Sequence, residues 1–157
     1  MLHLIPAPLH RRLYRLADWG RRQWWRVRMP RRSSVNIMAI DDAGRVLLVR
    51  HSYGRPLWLL PGGGIGRGED PAHAAIREFR EELGCAITDL QPLETSEEAV
   101  SGSIDRQHVF VARLAGTPVP DMREVVAAEV FDPAALPADT GRLSVRRIAR
   151  WQASQQR

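Results

Sequence analysis

The chain has 157 residues, 44% hydrophobic and 26% charged, which suits one globular domain with a single core. Its one cysteine, Cys85, excludes an intrachain disulfide and a cysteine-built zinc site, and with arginine as all 23 basic residues, lysine chemistry is excluded too. The net charge of +5 is uneven: residues 1–32 hold nine Arg and one acid, net +8, whereas residues 33–157 hold 14 Arg and 17 acids, net −3. The basic excess therefore belongs to an N-terminal extension, and the whole chain does not read as a basic nucleic-acid binder. No apolar run is long enough to cross a bilayer and no signal peptide is visible, so a reducing cytoplasm is the expected location.

In chain order, the extension comes first. Leu9, Leu13 and Leu16 recur at helical spacing among arginines, which predicts a helix over about residues 9–28, ended by Pro30. Residues 31–34 read as a linker into a main domain, taken as 33–157. Residues 35–40 and 45–50 predict two strands joined by an Asp-Asp-Ala-Gly turn, hence a hairpin. A short strand is expected over 57–60, stopped by Pro61. A Gly-rich loop fills 62–68. Asp70 is a good N-cap and Pro71 a good first helical residue, so a helix should run to Leu83 with Gly84 as its stop. Strands follow near 86–94, 106–114 and 124–131, then a helical turn near 133–136 and a last helix over 144–151. The hairpin rules out an all-parallel sheet.

The helix after the glycines carries the chemistry. At about 100° per residue, Ala72, Ala75, Ile76, Phe79 and Leu83 share one arc, the expected buried face. Glu78, Glu81 and Glu82 share another. Like charges at that spacing repel, and they sit in the half of the helix where the macrodipole disfavours anions. A hard divalent cation offsets both costs, with water and substrate phosphate filling its remaining positions. Glycines at 62, 63 and 64 let backbone pass close to metal and phosphates. Arg77 can hold a carboxylate by a two-pronged bond. Neither a Walker loop nor a dinucleotide fingerprint fits: Glu69 follows Gly68, and the third glycine of the fingerprint is missing.

Gly63, five residues, Glu69, seven residues, then Arg77-Glu78-Phe79-x-Glu81-Glu82-x-Gly84-Cys85 resembles the Nudix box, the signature of the Nudix hydrolases. Every fixed position is filled; Cys85 stands where an aliphatic residue is usual, and a small apolar thiol suits it. With the lead-in "WLLPGGG" and the later "FDPAALP", the resemblance spans about residues 35–151. It implies an α/β Nudix fold, an α/β/α sandwich around a mixed sheet. It also implies Mg²⁺- or Mn²⁺-dependent hydrolysis of a nucleoside diphosphate linked to another moiety. Carried over, Glu78, Glu81 and Glu82 would be metal ligands with the Gly63 carbonyl as a further one, and Arg77, with Glu69, would orient the carboxylates.

The family differs in which carboxylate activates water. Glu81 and Glu82 are candidates inside the box, and Glu124 is the best one outside it, placed where related sequences carry an acid ahead of a Trp-Phe pair whose Trp is Val130 here. Glu94, Glu97 and Glu98 form an acidic loop that offers a further option, while Glu129 reads as solvent-facing. For substrate, Arg50 can meet phosphate and Tyr53 can stack on a base, with His51 between them and Gly62 and Gly64 lining the phosphates; an ordinary hairpin loop is the plainer alternative. His51, His73 and His108 lack metal-ligand spacing. Trp58 reads as core, and Trp151 as packing on the sheet or walling the cleft. The partner is a small-molecule nucleotide, with a homodimer possible. The Arg/Trp-rich segment "RRQWWRVRMPRR" suits docking on the domain or a second subunit, or contact with nucleic acid or membrane. A Nudix-fold binding module using that arm is the alternative to an enzyme.

Overall fold

The computed structural model describes residues 31–100 and 103–155. The helix expected over 9–28 lies outside them. Five strands form one sheet: β1 (Arg31–Ile40), β2 (Val46–His51), β3 (Ala86–Val100), β4 (Ser103–Ala115) and β5 (Val125–Phe131), in the order β3-β4-β1-β2-β5. β1 runs parallel to β4 and every other pair is antiparallel, so the sheet is mixed. Two helices cover it, α1 (Pro71–Leu83) and α2 (Arg142–Gln155).

Alternation along the strands builds two cores. Val35, Ile37 and Ala39 of β1 and Leu47 and Val49 of β2 pack with Ala74, Ala75, Phe79 and Leu83 of α1. Met38, Val46 and Leu48 point the other way and pack with Trp58, Leu60 and Ile148 of α2. This is the expected sandwich. Trp58 is core as read, its ring 5.0 Å from that of Phe131, and Trp151 packs half-buried on the same cluster.

The caps of α1 are those the sequence indicated. The Asp70 side chain accepts from the Ala72 and His73 N–H groups, Pro71 opens the helix, and Gly84 at φ 62 closes it with its N–H on the Arg80 carbonyl. The buried face is turned from the expected one. Ala74 is fully buried while Ile76 is 39% exposed, and the buried arc includes Glu82. The helix is rotated toward its acidic side.

Several expected boundaries move. Residues 31–34 are not a linker but the start of β1, paired with residues 104–107 of β4. β3 runs on to Val100, so Glu94, Glu97 and Glu98 lie on a strand and not in a loop. The strand expected over 57–60 is reduced to single bridges at Trp58 and Leu59. β1 and β2 pair only at Ile40 and Val46 and then diverge, and the chain from Leu59 to Ile65 fills the gap. Leu59 exchanges hydrogen bonds with Val49 of β2 (2.8 and 2.9 Å), and the Pro61 and Gly63 carbonyls accept from Ile37 and Val35 of β1 (2.8 and 2.9 Å).

Arg147 of α2 is 2% exposed, and its guanidinium meets Glu94 Oε1 at 3.2 Å and the Gln107 side-chain carbonyl. Arg150 takes the other Glu94 oxygen and Arg146 pairs with Glu98. Two of the three acids are thus committed to α2, on the sheet face opposite α1, and cannot serve a site on α1. Burial opposes the charge of Arg147 and holds its pKa below the usual value, so the pairing must offset that cost. Replacing Arg147 with Ala leaves Glu94 with Arg150 alone and Gln107 without its charged partner, and we expect a loss of about 3–5 kcal/mol in urea unfolding, with an unchanged m-value.

Candidate active site

The Gly-rich loop is seated in the sheet before it reaches the helix. A Cβ at Gly62 would run into the Val35 carbonyl oxygen, and one at Gly63 would stand 2.5 and 2.7 Å from the two Glu78 carboxylate oxygens. Gly62, against backbone, admits only glycine, and a side chain at Gly63 would displace the Glu78 carboxylate. Past Gly63 the loop keeps to β1, with the Ile65 N–H on the Ser33 carbonyl at 3.0 Å.

Arg77 gathers the acids on that side. Its Nε and Nη2 bind the two oxygens of Glu69 at 2.8 and 2.9 Å, a two-pronged pair. Nη2 also donates to the Gly64 carbonyl at 3.1 Å, and Nη1 reaches Glu78 Oε1 at 2.9 Å and Glu81 Oε2 at 3.3 Å. Glu69 Oε2 accepts in addition from the Gly66 N–H at 2.7 Å. These bonds, Arg77 first, bring the Glu69 pKa down to about 2. One guanidinium therefore fixes the loop, Glu69, Glu78 and Glu81 together.

Glu82 is different. It is 4% exposed, and its Oε2 is buried with no hydrogen-bond partner. Burial pushes its carboxyl well above the usual range; the charges of Glu78 and Glu124 push the same way, and the Gly62 N–H opposes them. Glu78, half-buried, is raised by burial first, with Arg77 pulling it back.

Glu124 enters from the loop after β4. That loop caps the end of α1: the Val119 N–H donates to the Leu83 carbonyl at 2.7 Å and the Asp121 N–H to the Glu82 carbonyl at 2.9 Å. Asp121 Oδ1 accepts from the N–H groups of Arg123, Glu124 and Val125 at 2.9, 3.0 and 2.9 Å. Between them Met122 holds a left-handed φ of 58, which costs about 1–2 kcal/mol for a non-glycine residue. Ser52 fixes the far side, its N–H on the Glu124 carbonyl at 2.8 Å and its Oγ on the Arg123 carbonyl at 2.6 Å.

Neither Asp121 nor Ser52 was visible as a site residue in the sequence, although Pro-Asp ahead of a short polar turn is a recognisable turn-forming signal.

The residues expected to meet substrate divide. His51 lies on the α1 side, its ring 5.2 Å from that of Tyr53 and hydrogen-bonded to the Glu124 backbone; burial lowers its pKa. Arg50, one residue earlier on β2, points to the other face. Its guanidinium pairs with Asp139 and lies 4.5 Å over the Trp58 ring, so it is engaged away from the carboxylates. Glu129 is exposed, as read. Gly64 is exposed beside the Arg77 bond, with open space where a side chain would begin.

The donor set suits a hard divalent cation. Glu82 has a buried oxygen without a partner, Glu78 lies against Gly63 where no side chain intervenes, and the Gly63 carbonyl retains a second lone pair beside its bond to Val35. Among the described residues no three acids, histidines or cysteines are grouped so as to hold a metal ion as they stand, because Glu78 and Glu81 lean on Arg77 and Glu81 is 61% exposed. Such a site is open, with positions left for water and phosphate oxygens.

The NUDIX domain family model matches residues 30–152. An ADP-ribose pyrophosphatase of Mycobacterium tuberculosis is 39% identical over 83 residues, 50% of this chain and 40% of that protein. An RNA pyrophosphohydrolase of Saccharophagus degradans is 38% identical over 66 residues, 42% of this chain and 39% of that protein. The chain thus covers less than half the length of these curated relatives. A MutT NUDIX hydrolase from Burkholderia pseudomallei superposes with a TM-score of 0.69 at 25% identity, over 76% of this chain and 97% of that one.

The burial of Glu82 has a sign that can be tested without substrate. In the unfolded chain its carboxyl titrates near 4.5, and in the fold it titrates higher. Ionising it therefore costs stability, and the metal-free protein should lose stability as pH rises from about 4.5 through the raised folded value. Glu82→Gln should be the more stable chain above that window and show a flatter profile, at about 2–4 °C in Tm for each kcal/mol. Saturating divalent cation should stabilise wild type and leave Glu82→Gln much less changed. Thermal melts across pH, with and without cation, read both effects; a Gln chain no more stable than wild type at neutral pH without metal would contradict them.

Proposed function

The chain belongs to the NUDIX family, and from that premise we propose that it is a metal-dependent pyrophosphohydrolase acting on a nucleoside diphosphate linked to another moiety and releasing a nucleoside monophosphate. The observation that carries this is the pair of Glu82, with its buried unpartnered oxygen, and the Gly62-Gly63 backbone that passes beside Glu78. A binding module gains nothing from keeping a carboxylate desolvated and unsatisfied.

In this reading Glu78, Glu81, Glu82 and the Gly63 carbonyl hold the cation, with Mg²⁺ the choice and Mn²⁺ the alternative. When bound, the cation supplies positive charge against the phosphate oxygens and lowers the pKa of water. The chain supplies the rest. Arg77 and Glu69 fix the loop and keep the carboxylates in place. Glu124 takes the proton of the attacking water on its carboxylate; its charge bears on both Glu78 and Glu82, which supports its being near them. His51 and Tyr53, beside the Glu124 segment, line the nucleotide side.

The substrate class follows the relatives only in outline. ADP-ribose and other nucleoside diphosphate sugars, nucleoside triphosphates and RNA with a 5′-di- or triphosphate end all carry the anhydride such a site would cleave. The basic residues ahead of β1 are an arm to the domain in this reading, supported by the charge split, and the single cysteine suits a reducing cytoplasm.

The test is release of a nucleoside monophosphate from a panel of these compounds with Mg²⁺, or of phosphate or pyrophosphate from the RNA ends. Wild type should turn over at least one of them, chelator should abolish turnover and Mg²⁺ or Mn²⁺ restore it. Glu81→Gln and Glu82→Gln should each lower kcat by about 10²–10⁴-fold. Wild type and variants equally inert on the whole panel, with RNA or vesicles bound tightly, would replace the enzyme by a binding module.

A further inference from the structure

We propose that Asp121 is the positioning residue for Glu124: its carboxylate holds the backbone turn that aims the Glu124 side chain at the acidic face of α1. The inference rests on the reading of Glu124 as the base, and goes beyond it by naming what sets its geometry.

Among the described residues, the hydrogen bonds to the Asp121 carboxylate come from the loop's own backbone. Oδ1 takes three successive N–H groups, those of Arg123, Glu124 and Val125, and Oδ2 adds a longer contact of 3.3 Å to the Glu124 N–H. A carboxylate so occupied is poorly placed to serve as a metal ligand or base itself. Its bonds go to backbone, and the residue in the middle of the three is Glu124. At the same time the Asp121 N–H is on the Glu82 carbonyl. One residue therefore ties the base candidate to the end of the helix that carries the metal-ligand candidates. The distance between the two groups is set by a single turn and not by the length of the whole loop.

The turn is not one the chain would adopt unaided. Met122 sits in the left-handed region, which disfavours any side chain beyond glycine, asparagine and aspartate. It persists because Asp121 caps the three amides on one side and Ser52 binds the carbonyls of Arg123 and Glu124 on the other. Ser52 is buried, so water does not compete for that second clamp. Without the Asp121 carboxylate the three N–H groups lose their shared acceptor, and residues 122–124 are free to relax away from φ 58. Glu124 would keep its charge and lose its aim.

The experiment uses the full chain, with Asp121→Ala, Asp121→Asn, Glu124→Gln and the Asp121→Ala/Glu124→Gln double variant, assayed on whichever compound wild type hydrolyses with Mg²⁺. Asp121→Ala should lower kcat by about 10–100-fold, the usual effect of removing a group that orients a functional one, with KM little changed. Asp121→Asn, which keeps an acceptor oxygen, should recover most of the rate. In the Glu124→Gln background Asp121→Ala should cost less than about twofold, because a residue that acts through Glu124 has nothing left to position.

Amide hydrogen exchange on the metal-free protein gives a readout independent of turnover. Residues 123–125 should lose protection in Asp121→Ala and keep it in Asp121→Asn, while the middle of α1 stays protected in both. Equal loss from Asp121→Ala in the wild-type and Glu124→Gln backgrounds would overturn the proposal and leave Glu124 as base. Unchanged protection at 123–125 would overturn it likewise. Full activity in Glu124→Gln is a different pattern: it removes the base assignment, and this proposal with it.

Discussion

A carboxylate buried near the middle of a helix's packing face is the constraint from which the rest of this structure follows. Phe79 and Leu83 bring about 1.5–3 kcal/mol each by leaving water, and a straightforward amphipathic helix would add Ile76 to them. α1 instead turns Ile76 outward and Glu82 inward. The apolar contacts on either side hold the carboxylate where solvent cannot reach its Oε2, and the loop from Val119 to Asp121 closes the end of the helix over it. Stability is spent locally to hold a charged group ready, which is how functional sites commonly depart from what folding alone would select.

The opposite partner of that carboxylate is a strip of backbone. Because β1 and β2 separate after one paired residue, the chain between them bonds to β2 at Leu59 and to β1 at Pro61 and Gly63, and behaves as part of the sheet. Arg77 then fastens the outer part of the loop to the helix through Glu69 and the Gly64 carbonyl. Sheet, loop and helix are thus joined at the point where metal and phosphate chemistry would take place, and the preorganisation that such chemistry needs is supplied by main chain as much as by side chains.

Much of this was legible in the sequence, for physical reasons that can be named. The caps of α1 are local: Asp70, Pro71 and Gly84 act within one turn of their own positions, so the helix could be bounded from the letters. Glu78, Glu81 and Glu82 could be grouped because they follow the helix period, and the resemblance to the Nudix box supplied the rest of the pattern. What escaped depended on distant chain. Residues 31–34 look polar and loop-like until β4 arrives alongside. Glu94 and Glu98 look like a solvated acidic loop until the arginines of α2 meet them. The rotation of α1 could not be read either, since Ala74 and Ile76 compete for the core and only the surrounding packing decides. Arg50 was within reach of the simplest rule, because neighbours on a strand face opposite ways and His51 takes the α1 side.

The bonds of Glu69 make the interval between Gly63 and the helix a fixed measure. Glu69 binds the Gly66 amide behind it and the guanidinium eight positions ahead, while Gly63 is anchored to β1. Between these anchors the Arg67 side chain faces solvent and Gly64 has open space where a side chain would begin. Their chemistry is nearly free to drift, but an added or deleted residue would pull one anchor off its partner. In this segment the inherited quantity is arc length, and diversification has to proceed by exchanging letters and never by changing how many there are.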